Sequence, residues 1–378
     1  VSPAKRVQLL AAVSVSVALS CAAWLQAEKL SWVFAFEQPK ASQEPAFFET
    51  ILDYKVPSGV AHAVSASLFD ERFDLHWFEG TRESHEDVVI KRAQFALDAG
   101  QSWAPGPVGT FLSRHDMAKL SKPHQAIWSL GNTIQLRPGS TSQLTTIVSV
   151  GGWAAAAIAK VDIEQNTVKQ VRKLRLSPMF NRSHLVRNEV VEYEDGTLAI
   201  PAYFELGNSF GVFVRLDKEY EVYDKSRMSQ RRVAIQPDVV VTGPQSAVAL
   251  MRNFDKDTNQ LVATWTEDGG QSWSPAEFLD LPNPNAPVAA VLTSRNGILM
   301  AYNDHPHHGH TLSLGLSRDQ GRTWTAIAQL ENGEGNVRYP EIRRLRNGQY
   351  MLAYSVGSKT GIRAHVFNEA WIEEQYGR

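Results

Sequence analysis

The sequence predicts an all-β fold, a six-bladed β-propeller, and three observations carry that prediction. Short alternating or apolar runs separated by turn residues recur from about residue 46 onward. After residue 30 no helical period is sustained beyond two turns, except near the C-terminus. One turn pattern also repeats at the spacing of a four-stranded blade. Its clearest copy is Ser317-Arg318-Asp319-Gln320-Gly321-Arg322-Thr323-Trp324. A second is Thr266-Glu267-Asp268-Gly269-Gly270-Gln271-Ser272-Trp273, and a weaker third is Ala96-Leu97-Asp98-Ala99-Gly100-Gln101-Ser102-Trp103. Asp268 and Asp319 are 51 residues apart, one blade; Asp98 and Asp268 are 170 apart, about three blades of roughly 50 residues. Each copy has a strand-like run ahead of it. Its Asp can accept backbone N–H groups of its own turn, its Gly supplies positive φ, and its Trp tucks under the hairpin.

Length and composition bound the rest. The chain of 378 residues allows one large β domain or two smaller ones, with a sizeable core. With 38 Lys and Arg against 40 Asp and Glu, its formal charge is −2, and it has no basic stripe interleaved with aromatics, so nucleic acid is not an expected partner. Lys5-Arg6 precede an apolar run from Val7 to Leu25 that reads as a signal peptide or membrane anchor over residues 1–27. Export is therefore expected, either to a periplasm if the segment is cleaved or to its membrane face, attached through this segment, if it is retained. The one Cys, Cys21, lies inside it. Cleavage would leave a chain with no disulfide, thiolate site or Cys nucleophile.

In chain order, residues 28–45 read as a polar, Pro-bounded linker, and the propeller as residues 46–378. Ala61–Phe69, Phe73–Phe78 and Val88–Phe95 are expected strands, with the charged loop 79–87 before the third. Ala126–Ile134 and Leu144–Val150 follow. Val190–Tyr203 is a hairpin around Asp195-Gly196, and Phe210–Leu216 is a strand. Pro237–Thr242, Ser246–Arg252 and Gln260–Thr266 lead into the second Asp turn. Val288–Thr293 and Gly297–Tyr302 precede a His-rich loop, and Arg338–Leu345 with Gln349–Ser355 form the last clear hairpin. A propeller gathers ligands on its central axis, so a site should draw one or two residues per blade from distant positions.

The three Asp turns resemble the Asp-box (BNR) repeats of the sialidase, or neuraminidase, superfamily. Trp77-Phe78-Glu79-Gly80-Thr81-Arg82, Leu281-Pro282-Asn283-Pro284-Asn285, Tyr302-Asn303-Asp304 and Arg338-Tyr339-Pro340 resemble a bacterial neuraminidase-like branch of it. The resemblance implies a six-bladed propeller and activity on a carbohydrate. It implies Tyr339 as the catalytic Tyr, Arg252 as an anchor for a substrate carboxylate, and an acid/base carboxyl in the first loop, where Glu83 ranks ahead of Asp87. It places His62 where the first triad arginine should lie, Ser355 where that arginine's partner Glu should be, and the third arginine near His310. Gln236 stands where a Glu should activate the Tyr, with Asp238 two residues on. A Gln cannot take the phenol's proton. Arg82, Asn285, Asp304, His62 and His310 complete the expected substrate-binding set.

His305, His307, His308 and His310 alternate in a Pro/Gly loop without the i, i+4 spacing of helical zinc ligands, so no metal is expected, and no other cofactor. Three readings stay open. One is an exported exo-glycosidase of sialidase type acting on an acidic sugar, sialic acid or another. The second is a uronate lyase using His62 or His310 with Tyr339. The third is a non-catalytic glycan-binding propeller in envelope polysaccharide handling.

Overall fold

A computed structural model describes residues 3–26, 30–41, 44–97, 102–122, 124, 126–176, 182–230, 232–255 and 257–377. The chain divides into two compact units, Val1–Ser31 and Trp32–Arg378. In the first, Pro3–Gln26 forms one α-helix. Among the described residues no helix is long and apolar enough to cross a membrane.

The second unit is a ring of six antiparallel sheets, the six-bladed propeller that the turn spacing predicts. Blade 1 runs outward from the axis as Val60–Leu68, Arg72–Gly80, Val89–Leu97 and Trp103–Pro105, with Gly109–Ser113 also paired to its third strand. Blade 2 comprises Ser129–Gln135, Gln143–Val148, Ala156–Glu164 and Thr167–Lys173. In blade 3 the innermost strand is split into His184–Val186 and Val191–Glu192, followed by Leu198–Phe204, Phe210–Leu216 and Val222–Arg227. Blade 4 holds Ala234–Val241, Ala247–Asn253, Gln260–Thr266 and Glu277–Pro282. Blade 5 holds Ala289–Leu292, Ile298–Tyr302, Thr311–Ser317 and Thr325–Asn332. Blade 6 takes Arg338–Arg344, Tyr350–Val356 and Gly361–Phe367, then borrows Phe48–Lys55 as its outer strand. The innermost strand of blade 6 lies against those of blades 1 and 5, which closes the ring.

Middle strands are buried on both faces because each blade is covered by its neighbours; outer strands such as Val222–Arg227 are mostly exposed and polar. Apolar layers between blades form the core. One such layer sets Phe73 on Phe95, their rings stacked at 4.8 Å, beside Trp103 and blade 6 residues Met351 and Ile362.

The Asp turns sit between third and outer strands of blades 1, 4 and 5, which accounts for spacings of three blades and one. Asp98 itself lies outside the described residues. Asp319 Oδ1 accepts from Thr323 N (2.9 Å) and Arg322 N (3.1 Å), and its Oδ2 accepts from Thr323 Oγ1 (2.6 Å). Asp268 is held likewise by Ser272. Gly270 has φ +88, and a Cβ there would collide with the Phe213 ring, so no other residue fits. The Trp of each turn joins its blade to the preceding one. Trp103 Nε1 donates to Gln349 of blade 6 (2.8 Å), and Trp273 Nε1 donates to Ser226 of blade 3 (3.1 Å). Trp324 packs into the layer between blades 4 and 5.

Four innermost strands carry a β-bulge near one end of the axis, between His62 and Ser65, Leu130 and Thr133, Ile235 and Asp238, and Arg338 and Glu341. In three of them a non-glycine residue is left-handed: Ala63 (φ 57), Gln236 (φ 54) and Tyr339 (φ 56). Each such angle costs on the order of 1–3 kcal/mol and re-aims a side chain, here toward the axis.

Part of the segment expected as a linker is laid down on the blades. Phe34 is buried against Tyr193 and its N–H donates to Pro244 O (2.7 Å); Gln38 Nε2 donates to Thr293 O and Ser294 O, both at 3.0 Å. Among the described residues two α-helices flank the sheets, Arg114–Leu120, which the sequence pattern does not show, and Glu369–Tyr376 near the C-terminus, where it allows a helix.

Candidate functional site

The bulged strand ends open onto an axial cavity of about 410 Å³. Tyr339, Gln236, Arg252, Asn285, His62 and Glu83 from the sequence-derived set all line it. They come from blades 1, 4, 5 and 6, so the topology supplies the convergence that sequence distance conceals.

A hydrogen-bonded chain crosses the floor. Gln236 Nε2 donates to Tyr339 Oη (3.2 Å) and to Tyr203 Oη (3.3 Å), while its Oε1 accepts from Arg252 Nη1 (3.2 Å). Its left-handed backbone is pinned by Asn188, whose Nδ2 donates to Pro237 O (2.9 Å). Arg252 Nε donates to Asn285 Oδ1 (2.6 Å), and Arg338 Nη1 donates to Asn285 O (3.1 Å). One left-handed Asn thus holds two guanidinium groups on one wall. Burial, then the neighbouring Arg252, pushes the Arg338 pKa down from its usual value. Two guanidinium groups held side by side have the chemistry to receive a planar anion.

His62 is 2 % exposed. Its Nδ1 is 3.0 Å from Ser355 Oγ, and its ring meets Tyr339 edge to face at 4.3 Å. Burial, followed by Lys359, Arg187, Arg338 and Arg252, holds it well below the ordinary imidazole range, so it is neutral. Glu83 is paired with Lys359 (2.6 Å) across the cavity mouth. Tyr203 is pushed well up by burial and by Tyr339.

Beneath the floor the axis is filled by buried charge. Arg187 is 1 % exposed; its Nη1 donates to Glu341 Oε2 (3.2 Å), its Nη2 to Pro340 O (2.5 Å), and its guanidinium lies 5.2 Å from the centre of the Tyr339 ring. Glu341 Oε1 accepts from Arg343 Nε (2.9 Å), and Arg343 also pairs with Glu189. Asp238 belongs to this hub, where its Oδ2 accepts from Ala290 N (2.6 Å). Burial pushes Asp238 and Glu341 up to about 7, against the opposing charge of Arg187. Asp238 therefore does not line the cavity.

Four further residues of the expected set lie off the cavity lining. Asp87 ties its own loop: Thr81 donates to it through side chain and backbone, and His85 Nδ1 lies 2.7 Å away. Those bonds from Thr81, with His85, draw it down to about 2. Arg82 is exposed in the same loop. Asp304 accepts from Ser313 (2.7 Å) and Gln329 (3.2 Å) as a strap between strands. His310 is exposed, its ring 4.8 Å from that of His308. Among the described residues no group of three or more His, Cys, Asp and Glu converges to hold a metal ion.

The cavity also holds residues that sequence reasoning missed: Arg338, Lys359, Glu205, Tyr203 and Trp153. Arg338 had a signal, as the neighbour of Tyr339 at a strand start. Glu205 follows the strand Leu198–Phe204 and Lys359 sits in a turn; neither has a motif around it.

Residues 71–352 match the family described as BNR repeat-like domain. Solved structures share the fold. A protein of unknown function from Dyadobacter fermentans aligns over 85 % of this chain and 98 % of its own, at TM-score 0.62 and 12 % identity. A Hadza microbial sialidase, Hz136, aligns over 82 % of this chain and 65 % of its own, at TM-score 0.60 and 16 % identity. The NanB sialidase from Streptococcus pneumoniae aligns over 85 % of this chain and 70 % of its own, at TM-score 0.62 and 9 % identity. The chain thus spans about two thirds of the length of these sialidases. No curated protein sequence matches it.

Proposed function

Since the chain belongs to the BNR repeat-like domain family, we propose that it is an exo-glycosidase that removes an acidic sugar from the end of a glycan. One observation carries the reading: two arginines from different blades, Arg252 and Arg338, are clamped on Asn285 beside Tyr339 in the axial cavity. A planar carboxylate seated on that pair would fix the sugar ring with its anomeric carbon toward Tyr339 Oη. A cavity of about 410 Å³, floored by the buried charge of the hub, suits a terminal sugar better than an internal one.

Gln236 shapes the role of Tyr339. It donates to the phenol oxygen and cannot receive the phenol's proton, so Tyr339 offers its remaining lone pair to the positive charge that develops at the anomeric carbon. The same Gln236 favours a second reading, a propeller that binds acidic glycans without turning them over. The basic and apolar N-terminal run supports export of the protein; mass spectrometry of the secreted or membrane-bound form would reveal whether that run is retained.

The test is a screen of the purified protein against sialyl, uronyl and other acidic glycans. Release of a reducing sugar, reduced at least about 100-fold in Tyr339→Phe, is expected. Turnover that survives Tyr339→Phe on every active substrate defeats the site assignment. Absorbance of an unsaturated uronate would instead point to a lyase with neutral His62 as base, and binding without turnover to the second reading.

A further inference from the structure

We infer that Glu205, on the wall formed by blade 3, is the general acid of this site and that Glu83 is not. The inference rests on the hydrolase reading above. Among the described residues two carboxylates line the cavity, Glu83 and Glu205, and the loop that carries Glu83 adds Glu86 and Asp87; three of these four are committed elsewhere. Glu83 is ion-paired with Lys359 at 2.6 Å, so placing a proton on it would break the pair. Glu86 is paired with Arg114 at 3.3 Å and does not line the cavity. Asp87 serves its own turn through Thr81 and His85.

Glu205 lines the cavity, and among the described residues no hydrogen bond to its carboxylate is found. It stands just beyond the end of Leu198–Phe204, two residues after Tyr203, so it is carried by a buried strand rather than by a free loop. Burial raises its pKa, the negative charge of Glu83 adds to this, and Arg252 opposes it. Those two residues, with Tyr203, Tyr339, Arg338, Lys359 and His62, are the titratable and charged groups that share the cavity with it. A carboxyl with that surrounding keeps its proton nearer neutrality than a solvated one and can surrender it inside the site.

In the step assigned to it, the Glu205 O–H gives its proton to the glycosidic oxygen as the bond from that oxygen to the anomeric carbon breaks, the electron pair leaving with the oxygen. The carboxylate then takes a proton from the water whose oxygen bonds to the anomeric carbon. One glycoside and one water are consumed, one sugar and one alcohol are formed, and Glu205 ends as it began.

The experiment compares methyl and 4-nitrophenyl glycosides of sialic acid and glucuronic acid in the wild type, Glu205→Gln and Glu83→Gln. Proton donation matters for a poor leaving group and hardly for nitrophenolate. Glu205→Gln should therefore lower kcat on methyl glycosides by about 10²–10⁴-fold, but by no more than about tenfold on the nitrophenyl series, and should abolish the alkaline limb of the methyl-glycoside pH profile. Glu83→Gln should lower both series in the same proportion. Equal losses on both series in Glu205→Gln, with an unchanged thermal midpoint, overturn the assignment. So does a leaving-group-dependent loss in Glu83→Gln. Absence of turnover by the wild type on all four probes, seen without any variant, removes the hydrolase reading for these sugars and this inference with it.

Discussion

At Gln236 a single amide makes three contacts that a carboxylate would reorganise. Gln236→Glu would put an acceptor 3.2 Å from Tyr339 Oη while keeping the bond from Arg252. If the phenol's proton limits the reaction, hydrolysis should rise at least about tenfold, measured as kcat on the nitrophenyl series. An unchanged or lower rate would mean that Tyr339 acts with its proton in place. Arg187 answers to stability instead. It is the buried partner of Glu341, and Arg187→Met leaves that carboxylate with Arg343 as its cationic partner, a change expected to cost about 3–5 kcal/mol. Chemical denaturation measures it; a loss below about 1 kcal/mol would mean that Arg343 suffices. Residue types explain why this hub was hard to read. Tyr339 and Arg252 carry a resemblance, whereas Arg187 looks in sequence like any strand-end arginine, and only the ring shows it beneath the Tyr339 ring.

Among the elements, the Asp turns were the most legible because all their chemistry is local. Asp319, its Gly and its hydroxyl lie within five residues and satisfy each other. Asp319→Ala removes bonds from two backbone N–H groups and two hydroxyls, and should cost about 1–3 kcal/mol by denaturant midpoint, with no change in substrate KM because the turn is remote from the axial cavity. A shift in KM would show that the turn reaches the site. The bulges were illegible. Nothing in Ala63, Gln236 or Tyr339 announces positive φ, since the angle is imposed by the neighbouring strand's register rather than by the residue. Glu205 follows the unbulged strand Leu198–Phe204 with no motif around it, whereas Asp87 stands in a visibly acidic loop. The helix Arg114–Leu120 is too short to show a period. A chain begun at residue 45 keeps every blade strand but loses Phe34 and Gln38 from their seats; it should fold, with a thermal midpoint several degrees lower than one begun at residue 32, in line with the loss of one buried aromatic side chain.

For the whole molecule, acid titration sums over groups buried far apart. Burial holds His76 at about 3 and His365 at about 4, and holds His62 low as well. Unfolding returns each to about 6.5, so the stability they contribute is intact above that pH and drains away as pH falls toward 4 and 3. Asp238 and Glu341, raised to about 7, act in the opposite sense: what they contribute is complete below about pH 4 and is lost as pH rises to 7. Asp74 and Glu205 join the raised carboxyls, while His184, Asp87, Asp268 and Asp319 join the lowered groups; the lowered set is the larger, so the thermal midpoint should fall as pH drops from about 6.5 through 4. His365→Gln should make that fall shallower and Asp238→Asn steeper; the reverse order would mean that these groups are not buried in the forms described.

The outer strand of blade 6 has one further implication. Phe48–Lys55 pairs with Gly361–Phe367, and Phe47 N donates to Asn368 Oδ1 across 321 residues of chain. During vectorial synthesis five blades can assemble on the ribosome as they emerge, but the amino-terminal strand must wait, unpaired, for the sixth. Until then its open edge is a template for another nascent chain. Slowing translation across the codons of blade 6, residues 338–367, should therefore raise aggregation more than slowing it across those of blade 3.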